Sequence, residues 1–293
     1  MIEISPPDRR VLAGWFPTHL PGPATIGEHV LATGVGRWWA DRPVQPRVVA
    51  VSCAGHVVLR GSAEDLTPDV LAPLTGNRVE APARFLPALD AAYDRLTPWE
   101  RMIWTLQTMP QPATVPHAVT VRRLEPADAD AVRALGPDAS WLSAGWGGPH
   151  GLAASGHAWA ALGRTGRVQA VAYTYFRGTG YEDVAVYTVP DRRRHHLALA
   201  CVTALCADIT RRGHTPGWNC SLHNRPSRLL AWHAASAWSA STSTTPSAAR
   251  REALVSAPDG RRLPHTAQSP PAQAKASDLD VRPALAPPVL TQA

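Results

Sequence analysis

The stretch of this 293-residue chain richest in chemistry runs from Val186 to Ala235, VYTVPDRRRHHLALACVTALCADITRRGHTPGWNCSLHNRPSRLLAWHAA. A strand-like run closes at Val189-Pro190, three arginines follow (Arg192, Arg193 and Arg194), and a helical pattern opens at Leu197. A turn that leads into a helix start presents backbone N–H groups with no acceptor inside the helix. The helix dipole adds positive potential at the same place, so a pyrophosphate can dock there. Guanidinium groups supply charge-assisted hydrogen bonds to phosphate oxygens. On charge alone such a run reads as a solvated loop; its position between a strand and a helix reverses that preference.

Other chemistries find less support. The cysteines, Cys53, Cys201, Cys206 and Cys220, form no CxxC pair, and their spacing suits neither a zinc site nor a disulfide framework. No metal is expected, and Cys201 and Cys206 read as buried thiols on a helix. The net charge of +6 comes almost wholly from arginine, with Lys275 the single lysine. Together with abundant Ala, Pro and Gly, this bias points to a GC-rich coding sequence, which weakens the inference from charge to nucleic acid. No segment alternates basic and aromatic residues as a single-strand channel would. No run approaches the ~20 apolar residues that span a bilayer, and residues 1–10 lack an apolar signal core. A cytoplasmic protein without membrane contact is expected.

The elements that would position the arginine turn can be read around it. Residues 1–46 are rich in Pro and Gly, with a helical stretch near Ile26 to Asp41. Val48, Val49 and Val51, then Val57, Val58 and Leu59, flank Ala54-Gly55 as a hairpin. Pro68 to Gln107 reads as helical, with Thr97-Pro98-Trp99-Glu100 as a capped helix start. Pro110, Pro112 and Pro116 then read as a linker. Beyond it come a strand at Val119–Leu124, a helix at Pro126–Leu135, and strands at His157–Leu162, Val168–Phe176 and Asp183–Val189. Leu197, Cys201, Leu205 and Ile209 repeat every four residues, which makes one apolar helix face. Arg211, Arg212 and Gly213 suit its C-terminal end. A short strand at Trp218–Leu222 and a helix at Pro226–Ala235 follow. The expected fold class is α+β: a mixed, mainly antiparallel sheet flanked by helices at 117–238, preceded by a small α+β domain at 1–115. No internal repeat is visible. Residues 239–293 are rich in Pro, Ala, Ser and Arg and read as a disordered tail.

The order Val189-Pro190, Arg192-Arg193-Arg194, Leu197-Ala198, Arg212-Gly213, Pro216-Gly217-Trp218 and Asn224 with Ser227 resembles the GNAT (N-acetyltransferase) superfamily over about 120 residues. The resemblance implies acetyl-CoA as co-substrate and an amine of a small molecule or peptide as acceptor. The coenzyme would lie between the strand ending at Val189 and the strand near Trp218. Its phosphates would meet Arg192, Arg193, Arg194, His195, His196, Leu197 and Ala198. Its pantetheine would pair with the edge of Tyr187 to Val189, with Asn224 and Ser227 nearby. The resemblance also implies direct attack of a neutral amine, with the Val189 N–H polarising the thioester. Glu182 is the expected base and Asp183 the second choice. Trp141, Trp146 and Trp159, and the loop Gly178–Gly180, would contribute to the acceptor pocket. A non-catalytic or degenerate member of the same fold is the alternative reading.

Three features depart from the family pattern. Arg194 and His196 stand where the family usually has glycine, which lets backbone approach phosphate. Ala231 stands where the family often has a tyrosine that protonates the leaving thiolate, with His233 as a substitute nearby. After Ala234 the family's Gly-Phe junction and closing strands give way to a Ser/Thr/Ala run with no strand pattern. Suitable codons for Ala235–Ser247, read one nucleotide earlier, can spell such a junction and strand, which raises the idea of a frameshifted C-terminus.

Overall fold

In the computed structural model, the valines flanking Ala54-Gly55 form the expected hairpin. Both turn residues have positive φ, 49° and 76°, the conformation whose twist matches the strands it joins. The structure describes residues 1–4, 13–16, 18–64, 66–93, 96–106, 111 and 113–234, and the backbone of 238–248. The hairpin lies within a five-stranded sheet in the order β1 (Ile2–Glu3), β2 (Arg37–Ala40), β3 (Val48–Cys53), β4 (His56–Gly61) and β5 (Arg78–Glu80). Helix α1 (Ile26–Thr33) packs on it through Ile26 and Val30. Gly34, at φ 71°, ends α1 by donating its N–H to Val30 O. The helical reading of Ile26–Asp41 is therefore too long: Arg37–Ala40 extends and pairs with β3.

The region from Pro68 to Gln107, read as helical, is mostly something else. Short helices α2 (Pro68–Leu71) and α3 (Leu86–Ala92) bracket β5, and Leu96–Leu106 is a long strand, β6. The Thr-Pro-Trp-Glu sequence is a strand start and not a helix cap. Arg101 to Leu106 alternates, with Trp104 and Leu106 buried and the residues between them less so, which is the period of a strand.

β6 is built into a second sheet, of seven strands, in the order β12-β6-β11-β10-β9-β8-β7. Its members are β7 (Val119–Arg123), β8 (Ala158–Gly163), β9 (Val168–Arg177), β10 (Tyr181–Thr188), β11 (Thr215–Ser221) and β12 (Trp238–Ala248). Between β7 and β8 lie α4 (Ala129–Arg133), α5 (Trp141–Ala144) and α6 (Pro149–Ala154). Helix α7 (Leu197–Arg211) connects β10 to β11, and α8 (Arg225–Ala234) follows β11. β12 corrects the reading of Ala235–Ser247 as patternless chain. Its backbone pairs antiparallel with β6 from Trp238↔Leu106 to Ala248↔Leu96. Backbone groups along an open strand edge accept any chain that can extend, so this pairing needs no side-chain alternation. Residues 249–293, the rest of the expected tail, lie outside the described residues.

The two sheets share one topology. In each, four strands pair antiparallel in chain order and the fifth pairs parallel to the fourth: β4 with β5, and β10 with β11. The sequence shows no such repeat, because the two cores are packed with unrelated side chains. The halves are joined through β6 and through His29 of α1. His29 Nε2 donates to Gly145 O (2.7 Å) and Nδ1 accepts from the Arg177 N–H (3.0 Å), which fixes a neutral ring. Burial lowers its pKa to about 4.

Helix α7 covers one face of the large sheet. Leu197, Cys201, Leu205 and Ile209 are nearly or fully inaccessible and pack on Ala161, Ala170, Ala172 and Val184. Alanines on the sheet leave room for leucines on the helix, and each buried leucine stabilises by about 1.5–3 kcal/mol. All four cysteines are buried free thiols. Among the described residues no helix is long and apolar enough to cross a membrane.

Candidate active site

β10 and β11 begin as a parallel pair and then part. Registered partners run from Tyr181↔Thr215 to Val184↔Trp218, yet β10 continues to Thr188 and β11 to Ser221. Beyond Val184 the facing edges are no longer paired with each other. On its other side β10 is bonded to β9; the Val189 N–H donates to Gln169 O (3.0 Å). Alternation along an antiparallel ladder then points the N–H and C=O groups of Val186 and Thr188 into the gap. The edge expected at Tyr187 to Val189 is thus offset: Val189 N–H is already bonded to the neighbouring strand.

A cavity of about 480 Å³ occupies this gap. Val184, Val186 and Trp218 line it from the side of α7, and Asp183, Ala185 and Asn219 from the other. Residues of both parities on β10, Asp183 to Val186, line it. Asn224 and Ser227, at the start of α8, close one end. Asn224 Oδ1 accepts the Ser227 N–H (3.2 Å), and Ser227 Oγ accepts the Trp218 indole N–H (3.0 Å).

The two neighbouring carboxylates differ sharply. Glu182 is fully buried and already engaged: Oε2 accepts from Thr174 Oγ1 (2.6 Å) and Arg212 Nη2 (2.8 Å), and Oε1 from Arg212 Nε (3.1 Å). His214 and His157 also lie against it, at 2.8 Å and 3.3 Å. Burial opposes its ionisation, but the bonds from His157, Arg212 and Thr174 outweigh that and hold it well below the usual carboxylate range. Arg212 extends the network to Asp208 on α7, which also binds Arg123 of β7. Asp183 faces the cavity instead. Its Oδ1 is buried with no hydrogen-bond partner among the described residues. Burial raises its pKa to about 7, and Arg101 pulls the other way. A β-bulge falls between Asp183 and Val184; a bulge re-aims side chains and is common beside active sites.

The arginine turn forms an exposed loop at the head of α7. Pro190–Arg192 is a single 3-10 turn, and Arg192 to His196 are exposed. Arg194 and His196 have φ of 65° and 58°, the left-handed region that glycine favours. These are the two positions where the resemblance leads one to expect glycine, and here Arg194 and His196 hold a left-handed backbone. No side chain caps α7, and the N–H groups of Leu197 and Ala198 lie in its uncapped first turn.

The other expected residues are dispersed. Tyr187 packs partly against the core beside α6. Trp141 lines the cavity and is 42% exposed. Trp146 stacks on His157 and donates to Thr174 O, while Trp159 packs against the α7 side. The Gly178–Gly180 loop is held by Glu28 of α1 at Thr179. Ala231 is buried in the core and His233 is exposed, bonded to Leu229 O. The cavity's far wall was not foreseen: Ala54, His56 and Arg78 come from the first sheet, and Arg101 from β6. Their sequence context carries no motif; only the meeting of the two sheets brings them to Asp183.

Residues 93–233 match the family described as GNAT acetyltransferase. The chain is 57% identical over 214 residues, 73% of its length and 90% of the relative's, to an uncharacterized N-acetyltransferase encoded in the mutA 5' region of Streptomyces virginiae. Its fold is similar to a GCN5-related N-acetyltransferase-like protein from Streptococcus suis, with TM-score 0.62 at 15% identity over 83% of this chain and 98% of that one. It is also similar to a tandem GNAT protein from the clavulanic acid biosynthesis pathway, with TM-score 0.53 at 13% identity over 84% and 96%.

Proposed function

The chain belongs to the GNAT acetyltransferase family, and on that premise we propose that it moves an acetyl group from acetyl-CoA to a primary amine of a small molecule or peptide by direct attack. One observation carries this reading: the gap where β10 and β11 part also holds Asp183, a buried carboxylate with an unpartnered oxygen.

The residues present fit the coenzyme. The uncapped start of α7, with Arg193 beside it and a backbone in the glycine conformation at Arg194 and His196, suits a diphosphate. The edge groups of Val186 and Thr188 suit pantetheine amides. Bound acetyl-CoA supplies an acetyl thioester. The Val186 N–H is the first past the paired register, and it takes the polarising role in place of Val189.

Asp183 acts as base in preference to Glu182, whose carboxylate is occupied by Arg212. It takes a proton from the acceptor ammonium. The neutral amine then forms the C–N bond as the C–S bond breaks; one of its two protons passes to the departing thiolate and the other stays on the amide nitrogen. A base with pKa near the working pH is suited to this transfer. The second reading, a coenzyme-binding protein without turnover, draws on buried Ala231, which places no tyrosine acid at the gap. Release of free CoA on adding an amine panel separates the two. In Asp183→Asn we expect kcat to fall by about 10²–10⁴ with acetyl-CoA binding unchanged; full activity in that variant would remove Asp183 from the mechanism.

A further inference from the structure

We infer that the first sheet is a second module of the same architecture with its coenzyme slot closed, so that each chain holds one acetyl-CoA, in the gap between β10 and β11. The inference rests on the reading of that gap as the coenzyme site, and adds what the other half of the chain does.

In both sheets the parallel pair opens on the same hydrogen bond. The Arg78 N–H donates to Gly55 O and the Thr215 N–H to Gly180 O, each at 2.9 Å. From there His56↔Arg78 answers to Tyr181↔Thr215, and registered pairing ends at Val58↔Glu80 in one sheet and at Val184↔Trp218 in the other. β4 runs on to Gly61 as β10 runs on to Thr188. The Ser62 N–H is bonded to Arg47 O, just ahead of β3, at 3.0 Å. Alternation then turns the backbone groups of Leu59 and Gly61 to the β5 side. Counted from the matching glycine carbonyls, Gly61 stands where Val186 stands in the large sheet.

There the likeness ends. In the first sheet the chain's own side chains cap this edge. Arg84 Nε donates to Gly61 O at 2.7 Å, and Arg60 Nη1 to Leu59 O at 2.8 Å. Arg60 Nη2 also holds Glu80 Oε1 at the end of β5 (2.9 Å), so one guanidinium bridges the two strand ends. The uncapped helix start has no counterpart among the described residues either. α7 has 15 residues, whereas the β4–β5 connection holds the four-residue α2 and a 3-10 turn, with Leu71 and Leu74 packed into the core. A single turn carries little of the dipole that draws an anion to a helix start. What the first half supplies is wall: Ala54, His56 and Arg78, at the opening of its parallel pair, line the cavity. Tyr175 Oη donates to Ala54 O (3.4 Å), and the His56 ring meets Tyr175 and Phe176 edge-on.

The test counts bound coenzyme on the full chain by native mass spectrometry with saturating acetyl-CoA, and maps it by hydrogen exchange. The wild type should gain the mass of one acetyl-CoA, and a folded Val186→Pro variant should gain none. Coenzyme should slow exchange at the Val186 and Thr188 amides and leave Leu59 and Gly61 unchanged, a readout on the wild type that does not depend on the variant's folding. Two coenzymes per chain, one retained by folded Val186→Pro, or slowed exchange at Leu59 and Gly61 overturns the inference and leaves the chain a coenzyme binder. A wild type that gains no mass and shows no slowed exchange sinks the coenzyme reading of the gap, and this inference with it.

Discussion

Glu182 and Asp183 are adjacent on β10, yet the first is locked to Arg212 at 2.8 Å while the second has a carboxylate oxygen with no hydrogen-bond partner among the described residues. Strand alternation sends neighbouring side chains to opposite faces, and here it separates a carboxylate held by Arg212 from one that lines the cavity. Glu182 ties β10 to the end of α7; Asp183 faces the gap where the strands part.

If Asp183 is the base, activity follows its ionisation. The pH profile of kcat/KM should rise through about pH 7, and Asp183→Asn should lose that limb. Stability should move the other way. The folded pKa lies above the unfolded one, near 3.8, so the favourable protonated state is lost as pH rises from about 4 through 7. Asp183→Asn should therefore raise Tm at pH 8 by an amount that vanishes below pH 4. A variant less stable than wild type at pH 8 would contradict this.

Glu182→Gln should be destabilising by about 3–5 kcal/mol, because removing one member of a buried pair leaves the other uncompensated. The depressed pKa of Glu182 stabilises the fold above the unfolded carboxylate pKa, and that contribution fades as pH falls through the folded value. Denaturant unfolding at pH 7 and pH 3 checks both: the cost should shrink at the lower pH.

Arg194→Gly and His196→Gly should each stabilise the chain by about 1 kcal/mol, since both positions hold positive φ. With the side chains gone, phosphate can approach the backbone more closely, so acetyl-CoA should bind more tightly to the double variant. Weaker binding would mean that the side chains themselves hold the phosphates. Arg193→Ala should weaken binding and flatten its salt dependence.

Truncation after Ala234 should expose the outer edge of β6, which β12 covers along its length. Unpaired strand edges promote association, so the shortened chain should elute as oligomers where the full chain does not. Identical elution would show that β12 is dispensable.

The large sheet was legible because its strands alternate and α7 repeats Leu197, Cys201, Leu205 and Ile209 on one face. The loop of Arg192, Arg193 and Arg194 was legible because one pattern ends at Val189-Pro190 and a helical one opens at Leu197. The strand at Leu96–Leu106 was not: Thr97-Pro98-Trp99-Glu100 satisfies the local rules of a helix start, and only pairing with β11 decides otherwise. His56, Arg78 and Arg101 were invisible for a similar reason, since they acquire meaning only where the first sheet meets the second. The choice of Asp183 over Glu182 needed the positions of Arg212 and His214, thirty residues further along the chain.

The most direct test of the account is calorimetric titration of the full chain with acetyl-CoA, compared with Val186→Pro, which removes the edge N–H aimed into the gap. Low-micromolar binding by the wild type, with a clear loss in the folded variant, is the predicted result. A folded wild-type chain that gives no heat with acetyl-CoA would contradict the assignment of the gap as a coenzyme site.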